Sequence, residues 1–306
     1  MVKLLRYNVM MIRVLIVGAG DIAQRLFPLL TKTAGAVRVY ALVRNKEQAL
    51  RWRARGAIPL LGDLDDPASL KRFANVAHTV FYLAPPRDNS PRDLRLRQFL
   101  AVRARVRSLS QRWVYVSTTG VYGDCAGAFL DETAPVHPQS ARALRRADAE
   151  LCLRQFGGQS GRRVSILRVP GIYAADRLPL DRLQRATPAI LHEEDSYSNH
   201  IHADDLAQII LATLRRGKAN RIYNAVDNSS LKMGEYFDLV ATNFGLPSVP
   251  RISRQEAMAS LPPSLLSFMT ESRRLLNRRL HEELQVRLLY PQVSDGLRAA
   301  IFSRGE

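Results

Sequence analysis

The chain has 306 residues and carries 45 Lys and Arg against 28 Asp and Glu, a formal net charge of +17, with 46% hydrophobic residues. That much apolar material excludes a disordered or low-complexity chain, and the length fits one large domain or one with a smaller companion lobe. No uncharged apolar run reaches the roughly 18 residues of a membrane span. Lys3 and Arg6 imitate the basic start of a secretion signal, but Arg13 interrupts the apolar stretch and a glycine loop stands where cleavage would be needed. The expectation is a short leader, with the domain starting near Met11. Cys125 and Cys152 each stand alone, without CxxC or Cys/His spacing, which speaks against a structural metal and suits a reducing cytoplasm.

The first half alternates short apolar runs with amphipathic segments. Strands are expected at 12–17, 37–43, 58–61, 79–83, 113–117 and 164–169, and helices at 22–31, 46–55, 67–73, 92–108 and 139–156. Beyond 170 the rhythm changes, with Pro, Gly and Asp scattered through 170–188. His200-Ile201-His202-Ala203-Asp204-Asp205 then reads as a helix start capped by Asp204 or a neighbour. A helix over 205–214, a last strand over 221–225, and helices over 233–243, 264–276 and 295–302 complete the chain. The reading is an α/β protein, a Rossmann doubly wound parallel sheet formed by 1–168 with 200–226 returning to it. A smaller C-terminal substrate lobe takes 169–199 and 227–306.

Val14-Leu15-Ile16-Val17-Gly18-Ala19-Gly20-Asp21-Ile22-Ala23 places G-x-G-x-x-A directly after a strand and at the opening of a helix. Gly18 permits the tight turn, Gly20 lets backbone N–H groups approach a pyrophosphate, and Ala23 allows close helix–strand packing. The N–H groups from Asp21 and Ile22 onward belong to a helix N-terminus, which favours an anion. A carboxylate at the end of the second strand would hold a ribose 2′-OH; Arg44 stands there instead, with Lys46 nearby. A guanidinium at that point pairs with a 2′-phosphate, so NADP is expected, with NAD possible. Asp63, after the third strand, either faces the adenine or begins the turn before Pro67. Leu64, Leu83, Ala84 and Pro170, at strand ends, complete the expected coenzyme contacts.

Four stretches give the chain its likeness to a known family: the glycine loop, Val116-Ser117-Thr118-Thr119-Gly120-Val121-Tyr122-Gly123, Leu167-Arg168-Val169-Pro170-Gly171-Ile172-Tyr173, and Asn199-His200-Ile201-His202-Ala203-Asp204-Asp205-Leu206. With them the chain resembles the extended short-chain dehydrogenase/reductases, which include nucleotide-sugar epimerases and dehydratases. The segment from Ser272 to Leu284, followed by Tyr290-Pro291, resembles the tail of atypical members. The resemblance implies that Thr118, with Ser117 beside it, hydrogen-bonds the reacting oxygen. It also implies a Tyr whose phenol is activated by a Lys four residues later. Those positions hold Arg142 and Arg146, and no Tyr-x-x-x-Lys occurs in the chain.

Arginine stays protonated far above neutral pH and cannot act as the base, but it can polarise a carbonyl or grip an anion. Tyr122, Tyr173 and His137 are the substitute proton donors, whereas His200 and His202 read as anchors of the returning helix. Two functions remain open. One is an NAD(P)-dependent oxidoreductase, epimerase or dehydratase acting on a small anionic substrate such as a nucleotide sugar, with Thr118, Ser117, Tyr122, Arg142 and Arg146 around the reaction. The other is a non-catalytic NADP-binding redox sensor or partner-binding module. The arginines fall at amphipathic-helix spacing without a nucleic-acid motif, so solvated helix faces are expected and nucleic acid is not. The resemblance also allows a homodimer through the helices of the fourth- and fifth-strand crossovers.

Overall fold

The computed structural model describes residues 11–32, 37–104, 112–262, 265–266 and 269–302. The leader residues Lys3 and Arg6 lie outside that set, as do 105–108 of the expected fourth-crossover helix. Seven strands form the central sheet: β1 Ile12–Val17, β2 Val37–Val43, β3 Ile58–Leu61, β4 Thr79–Tyr82, β5 Arg112–Thr118, β6 Arg163–Val169 and β7 Arg221–Asn224. Their order is β7-β6-β5-β4-β1-β2-β3 and every pairing is parallel. The order reverses between β1 and β4, the switch point where such sheets leave a crevice at their carboxyl ends.

The helices follow as α1 Asp21–Thr31, α2 Lys46–Ala54, α3 Pro67–Leu70, α4 Leu94–Ala104, α5 Ala141–Ser160, α6 Leu180–Gln184, α7 Ala203–Arg216 and α8 Met233–Asn243. Both faces of the sheet are buried, which is why its strands are continuous apolar runs. Val14 and Ile16 pack with Leu26 and Leu30 of α1 and with Ile209 and Ile210 of α7. Leu15 and Val17, one residue out of phase, pack on the other face with Leu96 and Phe99 of α4 and Leu153 of α5. Each such fully buried aliphatic side chain contributes about 1.5–3 kcal/mol. Beyond the sheet, Tyr173, Leu183, Tyr236, Phe237 and Leu297 form a separate apolar cluster. Gly171–Tyr173, directly after β6, pairs in parallel with His200–His202 as a separate two-stranded sheet.

Several element ends differ from the sequence reading. The cap of α7 is His202, a neighbour of Asp204 as the reading allowed, and its Nδ1 accepts from the Asp204 N–H at 3.2 Å. Helix α5 is capped by Ser140 and runs to Ser160, past two glycines, stopping where Gly161 turns left-handed at φ +64°. Residues 263, 264, 267 and 268 of the expected 264–276 helix lie outside the described residues. Its end is not helical: Arg274–Leu275 is a strand paired with Phe129–Leu130. Burying Leu275 against Val121 and Tyr122 outweighs the local helical pattern there.

The outer edge of β7 is covered by side chains. Glu132 accepts the Asn224 N–H at 3.0 Å, and Arg279 donates to the Ile222 carbonyl at 3.0 Å.

Candidate coenzyme cleft and reaction end

A cleft of about 290 Å³ opens at the carboxyl ends of β1, β2, β3 and β4, lined by Gly18, Gly20, Arg44, Asp63, Leu64, Leu83 and Ala84 among others. Gly18 has φ +97°, and a Cβ there would stand 2.5 Å from the Ala84 nitrogen, so only glycine fits this crossing of chain segments. At Gly20 the position of a Cβ is open, which leaves backbone free to meet a ligand. Trp52 Nε1 donates to the Ala19 carbonyl at 3.4 Å and holds the loop from behind. Ala23 is fully buried under β1, as its packing role requires.

Of the expected coenzyme residues, Asp21, Ile22, Ala23 and Pro170 do not line this cleft. The Asp21 carboxylate is held by Arg25 at 3.1 Å and Arg177 at 3.2 Å. Asp63 lines the cleft, and its Oδ1 accepts from the Asp65 N–H at 2.9 Å at the start of the turn. Arg44 is exposed at the mouth, and its backbone N–H donates to Gln48 Oε1 at 3.1 Å. Sequence reasoning missed Arg95, which also lines the cleft. Its guanidinium grips Asp65 at 2.6 and 2.9 Å and reaches the Pro85 carbonyl at 3.2 Å. That contact holds the Asp65 carboxyl below its ordinary range. The signal was present: Arg95 sits in the first turn of α4, where the helix dipole disfavours a cation unless a partner holds it.

At the carboxyl end of β5, Thr118 Oγ1 accepts from the Gly120 N–H at 3.2 Å. Ser117 instead turns inward and donates to Glu150 at 2.6 Å, and Glu150 pairs with Arg168 at 2.7 Å. The Arg168 guanidinium lies 4.6 Å from the Tyr122 ring. The Tyr122 hydroxyl donates to Asn224 Oδ1 at 2.8 Å, and burial pushes its pKa up. The hydroxyls of Ser117 and Tyr122 thus both have internal hydrogen-bond partners. Tyr173 is buried with its hydroxyl 3.4 Å from the Gln292 carbonyl, and burial raises its pKa as well.

Arg146 donates to the Tyr115 hydroxyl at 2.9 Å and to the carbonyl of Ala84, a cleft residue, at 3.3 Å. Burial works against this cation, but the neighbouring Tyr115 and Asp93 outweigh it and its pKa stands above the ordinary value. Arg142, one turn earlier on α5, is exposed and feels the charges of Glu271, Arg273 and Arg146. Arg273 pairs with Glu271 at 2.8 Å and donates to the Gly123 carbonyl at 2.7 Å. Arg142, Arg146 and Arg273 thus gather near the carboxyl end of β5 with the carboxylates of Glu271 and Asp93 among them. Among the described residues no His, Cys, Asp and Glu cluster fit for a metal ion occurs, and no helix is long and apolar enough to cross a membrane.

This sheet order, with a glycine turn at the switch point, defines a Rossmann-type nucleotide-binding fold. Residues 14–225 match the NAD dependent epimerase/dehydratase family, and the chain belongs to that family. It is 27% identical over 131 residues to the human dTDP-D-glucose 4,6-dehydratase, a match covering 40% of this chain and 37% of that protein. A conserved protein of unknown function from Silicibacter pomeroyi has 29% sequence identity and a TM-score of 0.78, the alignment covering 96% of this chain and 99% of that one. The UDP-glucuronic acid 4-epimerase of Bacillus cereus, solved in complex with NAD, shares the fold at a TM-score of 0.73 and 16% identity over 96% of this chain and 99% of that one.

Proposed function

We propose that the chain is an NADP-dependent oxidoreductase of epimerase/dehydratase type, acting on a carbonyl or hydroxyl of a small anionic substrate such as a nucleotide sugar. The observation that carries this reading is the cleft itself: a glycine turn that admits backbone donors, with Arg44 at its mouth where a 2′-phosphate would lie. Gly18, Gly20, Leu83 and Ala84 would hold the dinucleotide, whose nicotinamide supplies hydride chemistry when bound. Thr118 orients the substrate oxygen. Arg146 fixes the wall at Ala84, and Arg142 holds negative charge on the substrate or on the oxygen as it develops. Two unpaired cysteines agree with a reducing cytoplasm. A homodimer through α4 and α5 belongs to the same proposal.

The test is NADPH oxidation, followed by absorbance, over a panel of carbonyl compounds that includes nucleotide-linked keto sugars. Turnover that falls in Thr118→Ala and Arg142→Ala supports the reading, and silence across the panel removes it. A companion variant, Arg142→Tyr with Arg146→Lys, restores the family's acid–base pair and should raise any measured rate.

The commitment of Ser117 and Tyr122 to internal hydrogen bonds favours one second reading, a non-catalytic redox sensor. It requires different affinities for NADP⁺ and NADPH, because a ligand pair bound equally well reports nothing. Equal dissociation constants by calorimetry would eliminate it.

A further inference from the structure

A second groove, of about 510 Å³, lies between α5 and the edge strand β7, with residues 132–136 along its other side. It shares no lining residue with the coenzyme cleft. Its deepest residues are the buried Ile222 of β7, Arg168 of β6 and Glu150 of α5. Ala147 and Leu151, one turn apart on α5, join Ala134, Pro135 and Val136 as its apolar lining. Leu151 is 56% exposed and Val136 40%, which leaves apolar surface that a ligand can cover.

Four arginines and two glutamates also line the groove. Three of the four cations are matched. Arg168 pairs with Glu150 at 2.7 Å, Arg279 with Glu132 at 3.4 Å, and Arg221 with Glu283 just outside the groove. Arg154, exposed on α5 one turn beyond Leu151, pairs with no carboxylate among the described residues. The matching at depth is incomplete as well. Arg168 donates from Nε and Nη2 to Glu150, but its buried Nη1 has no hydrogen-bond partner, and the guanidinium lies against the Tyr122 ring at 4.6 Å. Buried donors are nearly always satisfied, so one left over marks a place that lacks an acceptor.

We propose that this groove binds a small organic monocarboxylate with an aliphatic body. Its volume falls within the roughly 300–1,000 Å³ of small-molecule sites. A carboxylate offers acceptors only, which is what a row of guanidinium donors with one unmatched member requires. A single unmatched cation sets the ligand charge at one. A phosphate dianion would leave a charge uncompensated beside Glu132 and Glu150. No Phe, Tyr, Trp or His lines the groove among the described residues, so an aromatic ring or a nucleobase would find nothing to stack on. An aliphatic body instead covers Leu151, Val136 and Pro135. Because the two sites share no residue, the proposal stands apart from the coenzyme assignment.

The experiment is calorimetric titration of the full chain with octanoate, with neutral octanamide and with inorganic phosphate. Octanoate should bind, and octanamide and phosphate should each bind at least about tenfold more weakly, one lacking the charge and the other the apolar body. Arg154→Gln should weaken octanoate by about fivefold, and Leu151→Glu, which sets a like charge beside the carboxylate, by at least about tenfold. Arg44→Gln and Arg53→Gln remove a cation at the coenzyme cleft and on α2, and both should leave octanoate affinity unchanged. Unchanged melting temperatures confirm that the variants fold. Octanoate binding absent up to about 10 mM, or matched by octanamide or by phosphate, would overturn the proposal. So would equal affinity in the parent, Arg154→Gln and Leu151→Glu, or a loss in Arg44→Gln as large as that in Arg154→Gln.

Discussion

Ser117 donates a 2.6 Å hydrogen bond to Glu150, whose carboxylate is at the same time paired with the buried Arg168. The contact joins β5, α5 and β6 beneath the floor of the reaction end. Replacing Ser117 by Ala leaves a buried ion pair short of one donor, and a loss of about 1–3 kcal/mol is expected. Chemical denaturation should show it as a lower midpoint with an unchanged slope. Thr118→Ala removes one capping contact, worth about 1 kcal/mol, and its larger effect should fall on turnover.

Gly18→Ala should abolish coenzyme binding. The alanine would need φ +97° and would press its Cβ against the Ala84 nitrogen at 2.5 Å. The backbone penalty alone is about 1–2 kcal/mol, and displacing the end of β4 reshapes the cleft. Calorimetric titration with NADPH is the measurement; a dissociation constant within threefold of the parent would contradict this account of the turn.

Arg44→Gln should weaken NADP binding by about tenfold to a hundredfold, the worth of a charge-assisted contact, with NAD affinity nearly unchanged. Parallel loss for both coenzymes would mean that Arg44 shapes the cleft rather than reading a phosphate.

Asp227 follows β7 and is buried, and burial followed by the charges of Asp205 and Asp295 raises its pKa to about 7. Its Oδ1 accepts from the Ser229 N–H at 2.9 Å. In the unfolded chain the same carboxyl ionises near 3.8, so between about pH 4 and 7 the folded state binds the extra proton. Stability contributed by this group is therefore lost as pH rises through that window, by up to about 4 kcal/mol. Asp227→Asn should be more stable than the parent at pH 8, and the difference should shrink towards pH 4. Denaturant midpoints at several pH values check the sign.

The strand–helix alternation, the parallel sheet and the glycine turn were legible because continuous apolar runs and a G-x-G-x-x-A pattern have few other uses. Arg44, Leu83 and Ala84, legible as strand-end residues, line the cleft. Arg95 escaped notice because its role depends on Asp65, thirty residues away in the chain. The hydrogen-bond partners of Ser117 and Tyr122 were hidden for a related reason. A motif gives residue types, but not the direction in which a hydroxyl points, and here Glu150 and Asn224 draw both inward. The strand at Arg274–Leu275 was hidden because its apolar partners, Val121 and Tyr122, come from a distant part of the sequence.

Glu132 and Arg279, which take the Asn224 N–H and the Ile222 carbonyl of β7, have a consequence for the life of the chain in a crowded solution. A bare terminal strand would act as a template on which unfolded neighbours could extend the sheet. With one donor and one acceptor already taken by two side chains, that margin offers fewer free groups for stray β-pairing.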